Sequence, residues 1–152
     1  MRDNWLNSWV AIIGLGLVLS CGDVPTCLDI ETSLVKIKFI DTDGNTKDIF
    51  LAKLKAIGND NGFPEYDNDT LNSISLPLNP GALTTTFIFE QTSGGIDTIG
   101  LSYTVVAKLI SPECGLDAGF DDMDTTFTSF NKLEILENII HEDIITNIEI
   151  TL

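Results

Sequence analysis

The side chains best suited to chemistry in this chain are three cysteines, Cys21, Cys27 and Cys114, one histidine, His141, and several groups of acids. A Ser-His-Asp or Cys-His nucleophilic device would have to use His141. That residue stands between Ile140 and Glu142, where a turn is expected, and no nucleophile signature accompanies it. It reads as a solvated turn residue. Asp121, Asp122 and Asp124 in the stretch FDDMD could supply the carboxylate pair of a glycoside hydrolase. Neighbours in sequence need not converge on a substrate, and a chain this small leaves little room for a sugar cleft. The expectation is therefore no catalytic residue, with a hydrolase as the remote alternative. Asp41, Asp43, Asn45 and Asp48 surround Gly44 with hard oxygen ligands of the kind calcium takes. The full EF-hand loop is absent, because Ala52 stands where the twelfth-position Glu would be. Asp-Gly-Asn between two strands is first a hairpin turn, so no cofactor is expected and weak calcium binding is the alternative. Gly94-Gly95 lacks the following helix of a phosphate-cradling loop and reads as a turn.

The cysteines say more. Cys21 ends the stretch Val18-Leu19-Ser20-Cys21, which closes an uncharged run from Trp9 to Leu19. Such a run is too short for a membrane span, which takes about 20 apolar residues. It suits the core of a secretory signal, about 7–15 residues long. Arg2 gives the leading region positive charge, partly cancelled by Asp3. Two aliphatic residues, a small residue and Cys resemble the bacterial lipobox. In such signals the thiol is lipidated, the chain is cut before Cys and the new amine is usually acylated. Two or three acyl chains hold a membrane stably where one does not. Residues 1–20 are then a lipoprotein signal peptide, Cys21 carries the lipid, and 21–32 form a short tether. Cys27 and Cys114 remain. In an oxidising compartment such a leftover pair tends to become a disulfide, here closing a loop worth about 4–5 kcal/mol by chain-entropy arguments. Two separate thiols are the other reading. Two Cys with no nearby His fall short of a tetrahedral metal site.

Composition narrows the partners. The formal net charge is −15. After Cys21 the chain keeps seven lysines and no arginine. Nucleic acid is effectively excluded, since phosphate contacts need a basic surface. Electrostatic docking on anionic lipid is disfavoured for the same reason, so a lipid must do the anchoring. Both tryptophans, Trp5 and Trp9, leave with the signal. Tyr66 and Tyr103 alone make a sugar-stacking platform less expected.

The elements that must position these groups read as strands. Val35, Ile37 and Phe39 alternate with Lys36 and Lys38, giving one buried and one wet face. Asp43-Gly44 is a turn signal. Further strands are expected at 47–57, 72–77, 84–90, 97–109 and 125–130, with a polar loop at 58–69 and another at SPECG, Ser111–Gly115. Leu133–Ile140 also fits helical spacing. Its Ile-rich neighbours favour a last hairpin, 133–140 with 144–152, turning at His141-Glu142-Asp143. Seven or eight mostly antiparallel strands over 33–152 make an all-β fold, a single β-sandwich, immunoglobulin-like or similar.

The chain resembles an uncharacterised family of Bacteroidota lipoproteins, a domain of unknown function. The resemblance rests on Cys21 with Asp23 and Cys27 behind it, on LVKIKFID (34–41), SISLPLN (73–79), TFIFE (86–90), DTIGLSY (97–103) and SPECG (111–115), and on the terminal NIEITL. SISLPLN and SPECG are the more specific pieces. The family's two-Cys pattern implies pairing of Cys27 with Cys114. Leu116 stands where members often carry an aromatic after Cys-Gly, with Phe120 further on. The family contributes an address and a fold, not an activity. Together these readings describe a non-catalytic accessory or protein-interaction module of the cell envelope. It would be lipid-anchored to the outer membrane and face the periplasm, because only Asp23 supplies an acid just after Cys21. The alternative is a small-ligand or calcium-binding lipoprotein using the loops at 41–48 and 58–69.

Overall fold

A computed structural model describes residues 33–59, 61–111, 115–140 and 144–152. The expected lipidation site Cys21, the expected pair Cys27 and Cys114, the expected signal segment and tether, and His141 with its two acidic neighbours lie outside the described residues.

Alternating hydrophobicity becomes two layers of sheet. The strands are β1 Leu34–Ile40, β2 Ile49–Ala56, β3 Asp69–Leu71, β4 Ser73–Pro77, β5 Thr84–Gln91, β6 Ile96–Ser111, β7 Gly115–Thr128, β8 Lys132–Ile135 and β9 Ile148–Thr151. One sheet has the order β4-β1-β9-β8 and the other β3-β2-β5-β6-β7. Every pairing is antiparallel except β1 with β9, which is parallel, with Ile37 opposite Ile148 and Phe39 opposite Ile150. The expected all-β sandwich is the fold, with nine strands among the described residues.

The inward residues are those the alternation selects. Val35, Ile37 and Phe39 of β1 and Ile148 and Ile150 of β9 are fully buried against Leu51, Leu54, Phe87, Phe89, Ile99 and Leu101 of the other sheet. Phe39 meets Phe89 edge-on at 6.3 Å, and Phe130 meets Phe89 edge-on at 5.4 Å, so three rings lock the layers together. Edge-to-face contacts add about 0.5–1.5 kcal/mol each beyond area burial.

Three expectations are revised. The fourth strand of the larger sheet to be read from sequence, expected at 125–130, is the end of a much longer β7 that begins at Gly115 and takes in FDDMD. β6 dictates this by pairing from Ile99↔Thr128 to Ser111↔Gly115. The ladder absorbs the acids through register shifts and a positive φ of 52° at Asp122. The loop expected at 58–69 holds a single 3-10 turn, Pro64–Tyr66, and gives its last residue to β3. The last hairpin forms, with shorter strands than expected. Lys132 pairs with Thr151 and Ile135 with Ile148, so the connection spans 136–147. Leu133–Ile140 is strand only to Ile135, with no helix, and the rest is irregular chain fixed by the Asn147 side chain and by backbone bonds to Asn147 and β7.

Candidate functional site

The turn after β1 is built by its own acid. Asp41 Oδ1 accepts from the Asp43 N–H at 2.9 Å and the Asn45 N–H at 2.8 Å, and Asn45 Nδ2 donates to Oδ2 at 3.3 Å. Gly44 follows at φ +83°, the left-handed conformation glycine adopts at no steric cost. The Asn45 backbone N–H, foremost, holds the Asp41 carboxyl below the usual carboxylate range, with the Asn45 carboxamide, the Asp43 N–H and the Lys47 charge adding to it. Asp48 lies outside this turn and accepts from Asn72 Nδ2 at 3.2 Å. Of the four residues expected as calcium ligands, the loop brings Asp41 and Asn45 together through their own hydrogen bonds. Among the described residues no group of three or more His, Cys, Asp or Glu is placed to hold a metal ion.

The acids of FDDMD spread along a strand. Asp121 stands opposite Thr104 and Asp124 opposite Ser102, and the Asp124 Oδ1 accepts from the Thr125 N–H at 2.7 Å. Both tyrosines are structural. The half-buried Tyr66 hydroxyl donates to Ser75 O at 2.9 Å. The buried Tyr103 hydroxyl shares a 2.6 Å bond with Thr85 Oγ1 and contacts Asn79 N and O at 3.1 and 2.9 Å. The two hydroxyls thus fix β4 at Ser75 and the chain just after it at Asn79.

A groove of about 490 Å³ opens at one end of the sandwich where β2 begins, β5 turns into β6 and β7 ends. Phe50, 58 % exposed, forms one wall and the buried Phe130 lies beneath. Its polar centre is Asp97. Gln91 Nε2 donates to Asp97 Oδ2 at 2.6 Å and Ser129 Oγ to Oδ1 at 3.0 Å, while Ser129 Oγ itself accepts from the Thr98 N–H at 2.8 Å. Among the described residues that line the groove, Lys47 is the one cation. Sequence reading did not single out Asp97, Gln91 or Ser129. The signal was available in part: Gly94-Gly95 joins β5 to β6 and so brings Gln91 next to Asp97. The link to Ser129 depends on a pairing across 32 positions. A further groove, about 230 Å³, lies over β1 and β4 between Lys36 and Thr146.

A family model described as "Family of unknown function (DUF6452)" matches residues 52–152. The chain belongs to the DUF6452 family. The DUF6452 match runs from within β2 to the C-terminal strand and takes in both tyrosine ties and Asp97. It leaves out β1, although β1 sits between β4 and β9 in the smaller sheet. No curated protein and no solved structure matches the chain. Among the described residues of this DUF6452 chain, no helix is long and apolar enough to cross a membrane.

Proposed function

We propose that this DUF6452 protein is a lipoprotein of the Bacteroidota type, anchored through Cys21 and acting as a non-catalytic interaction module in the cell envelope, on the periplasmic face of the outer membrane. The observation that carries the reading is Val18-Leu19-Ser20-Cys21 at the end of a short apolar run. It is supported by how the sandwich spends its polar groups: Asp41 is bonded within its turn, Asp97 to Gln91 and Ser129 at its own sheet end, and Tyr66 and Tyr103 across to the chain in and after β4. Groups so engaged hold loops in place and present a fixed surface. A disulfide between Cys27 and Cys114 belongs to the same reading, since export supplies the oxidising surroundings it needs.

Fractionation of the full chain in its native host tests the anchor. The unsubstituted protein is expected in the membrane fraction and Cys21→Ser in the soluble fraction. A Cys21→Ser chain that stays with membranes to the same extent would defeat the reading. Repeated capture of one envelope protein by the lipidated chain is expected as well; the absence of any partner counts against an interaction module.

A second reading has its own observation. The end groove is roomy enough for a small ligand and pairs Phe50 with Lys47 and Asp97. A small-ligand or calcium-binding lipoprotein would use this end of the sandwich, next to the Asp41 turn. Calcium titration that leaves the melting temperature unchanged removes the metal version.

A further inference from the structure

β6 carries a charge where its own pattern calls for an apolar side chain. Side chains alternate along a strand, and Tyr103, Leu101 and Ile99 form the buried, inward set of β6. The next position of that set is Asp97, directly opposite the buried Phe89 of β5. Its carboxylate therefore lies on the side of the sheet that faces the other layer, at the end of the core, where it lines the groove. An acid placed there costs stability relative to an apolar residue unless its bonds are made. A break in an otherwise consistent pattern is where function is to be sought.

The carboxylate is held in place but keeps acceptor capacity. Gln91 Nε2 donates to Oδ2 and Ser129 Oγ to Oδ1, one bond to each oxygen. An ionised carboxylate oxygen accepts about two bonds, so each oxygen can take one more donor. No lysine among the described residues forms an ion pair with Asp97. The Lys47 charge bears on the Asp41 carboxyl in the adjoining turn, and Asp48 lines the groove as well.

The missing partner is a donor, and the surroundings favour a charged one. A formal net charge of −15 draws small cations to the molecule. A bare metal ion does not suit the place, because among the described residues no group of three or more His, Cys, Asp or Glu is set to hold one. The exposed ring of Phe50 supplies an apolar wall, and an aromatic face attracts ammonium and guanidinium groups. At about 490 Å³ the groove has the size of a small-molecule site.

We propose that this groove binds a small organic cation, an ammonium or guanidinium group on an apolar body. The two Asp97 oxygens accept from the cation and Phe50 covers the body. Gln91 and Ser129 are positioning residues that fix the carboxylate. The proposal rests on the small-ligand reading of this end of the sandwich and gives that ligand its charge.

Three ring compounds of similar size test it on the full chain: phenethylamine, 2-phenylethanol and phenylacetate, each followed by amide shifts in NMR. Phenethylamine is expected to give saturable shifts at Gln91, Asp97 and Ser129 and to bind about tenfold or more tightly than 2-phenylethanol, since a hydrogen bond to a charged group is worth at least that factor. Asp97→Asn is expected to remove this preference while the shifts of β1 (34–40) stay unchanged as a control for folding. Phe50→Ala, at an exposed position, is expected to weaken both compounds. Added sodium chloride should weaken phenethylamine and leave 2-phenylethanol unaffected, an outcome that needs no variant. Equal or tighter binding of 2-phenylethanol or phenylacetate at these residues overturns the cation and leaves the small-ligand reading standing. Phenethylamine binding that a folded Asp97→Asn retains overturns the assignment to Asp97. No shift at this end with any of the three overturns the proposal and counts against the small-ligand reading as well.

Discussion

Asn147 holds the backbone of Lys36 from two directions. The Lys36 N–H donates to Asn147 Oδ1 at 2.9 Å, and the Asn147 N–H donates to Lys36 O at 2.8 Å. The same carboxamide donates to Glu137 O at 3.4 Å and Ile139 O at 3.2 Å, and the residue is fully buried. With the backbone bonds from Met123 N–H to Asn138 O and from Ile140 N–H to Phe120 O, this side chain fixes the 136–140 segment and joins it to the start of β1. Because a buried backbone group left without a partner costs about 1–3 kcal/mol, Asn147→Ala is expected to lose about 2–4 kcal/mol in urea unfolding. Asn147→Asp keeps an acceptor for Lys36 but loses both donors and buries a charge, so it should be no better. A loss under about 0.5 kcal/mol for both would show that the segment is held by something else.

Tyr103→Phe keeps the ring against Phe120 and removes only the hydroxyl that ties Thr85 to Asn79. The expected cost is about 1–2 kcal/mol, with faster amide exchange at 79–83 and little change at β9. A uniform change across the molecule would contradict a local tie.

Gly100 is fixed by a neighbour. A Cβ there would lie 2.5 Å from Thr126 Oγ1, with its next contacts at 3.6 and 3.7 Å. Gly100→Ala is expected to destabilise by about 1–3 kcal/mol. The pair Gly100→Ala/Thr126→Ala should recover most of it, because only the threonine hydroxyl is in the way. Equal stability of the single and double variants would refute that assignment.

The Asp41 turn makes a pH prediction. Its carboxyl is held below the usual range in the folded chain. A depressed folded value means its contribution is full above the unfolded value, near 3.9, and is lost as pH falls through the folded value. NMR titration should find the Asp41 carboxyl below the ordinary aspartate value, and Asp41→Asn should flatten the pH dependence of the turn below about pH 4. Millimolar calcium should leave this titration unchanged. An ordinary Asp41 titration would mean that the Asn45 and Asp43 N–H groups do not bond it in solution.

Where periodicity was strong, sequence and structure agree closely. Val35, Ile37 and Phe39 are inward, and Thr84–Gln91 is a strand within one residue of its expected end. The Gly44 and Gly94 turns stand where their residues place them. Long-range pairing was not legible. β7 runs through Asp117, Asp121, Asp122 and Asp124, residues that local propensity assigns to loops, because β6 offers a continuous ladder of backbone partners. β3 is three mostly exposed residues held by the edge of β2. Residues 136–140 carry enough isoleucine and leucine to suggest a strand, yet the Glu137 and Ile139 carbonyls answer to Asn147, whose role no spacing rule reveals. The end groove was missed for the same reason, since Ser129 reaches Asp97 only after β6 and β7 have paired.

The central claim is that the mature chain starts at a lipidated Cys21 and that Cys27 and Cys114 are paired. Intact mass of the protein from membranes of its native host, before and after reduction and alkylation, tests it most directly. The account predicts loss of residues 1–20, added acyl mass, and two thiols that appear only on reduction. An unlipidated mass, or free thiols without reductant, would contradict it.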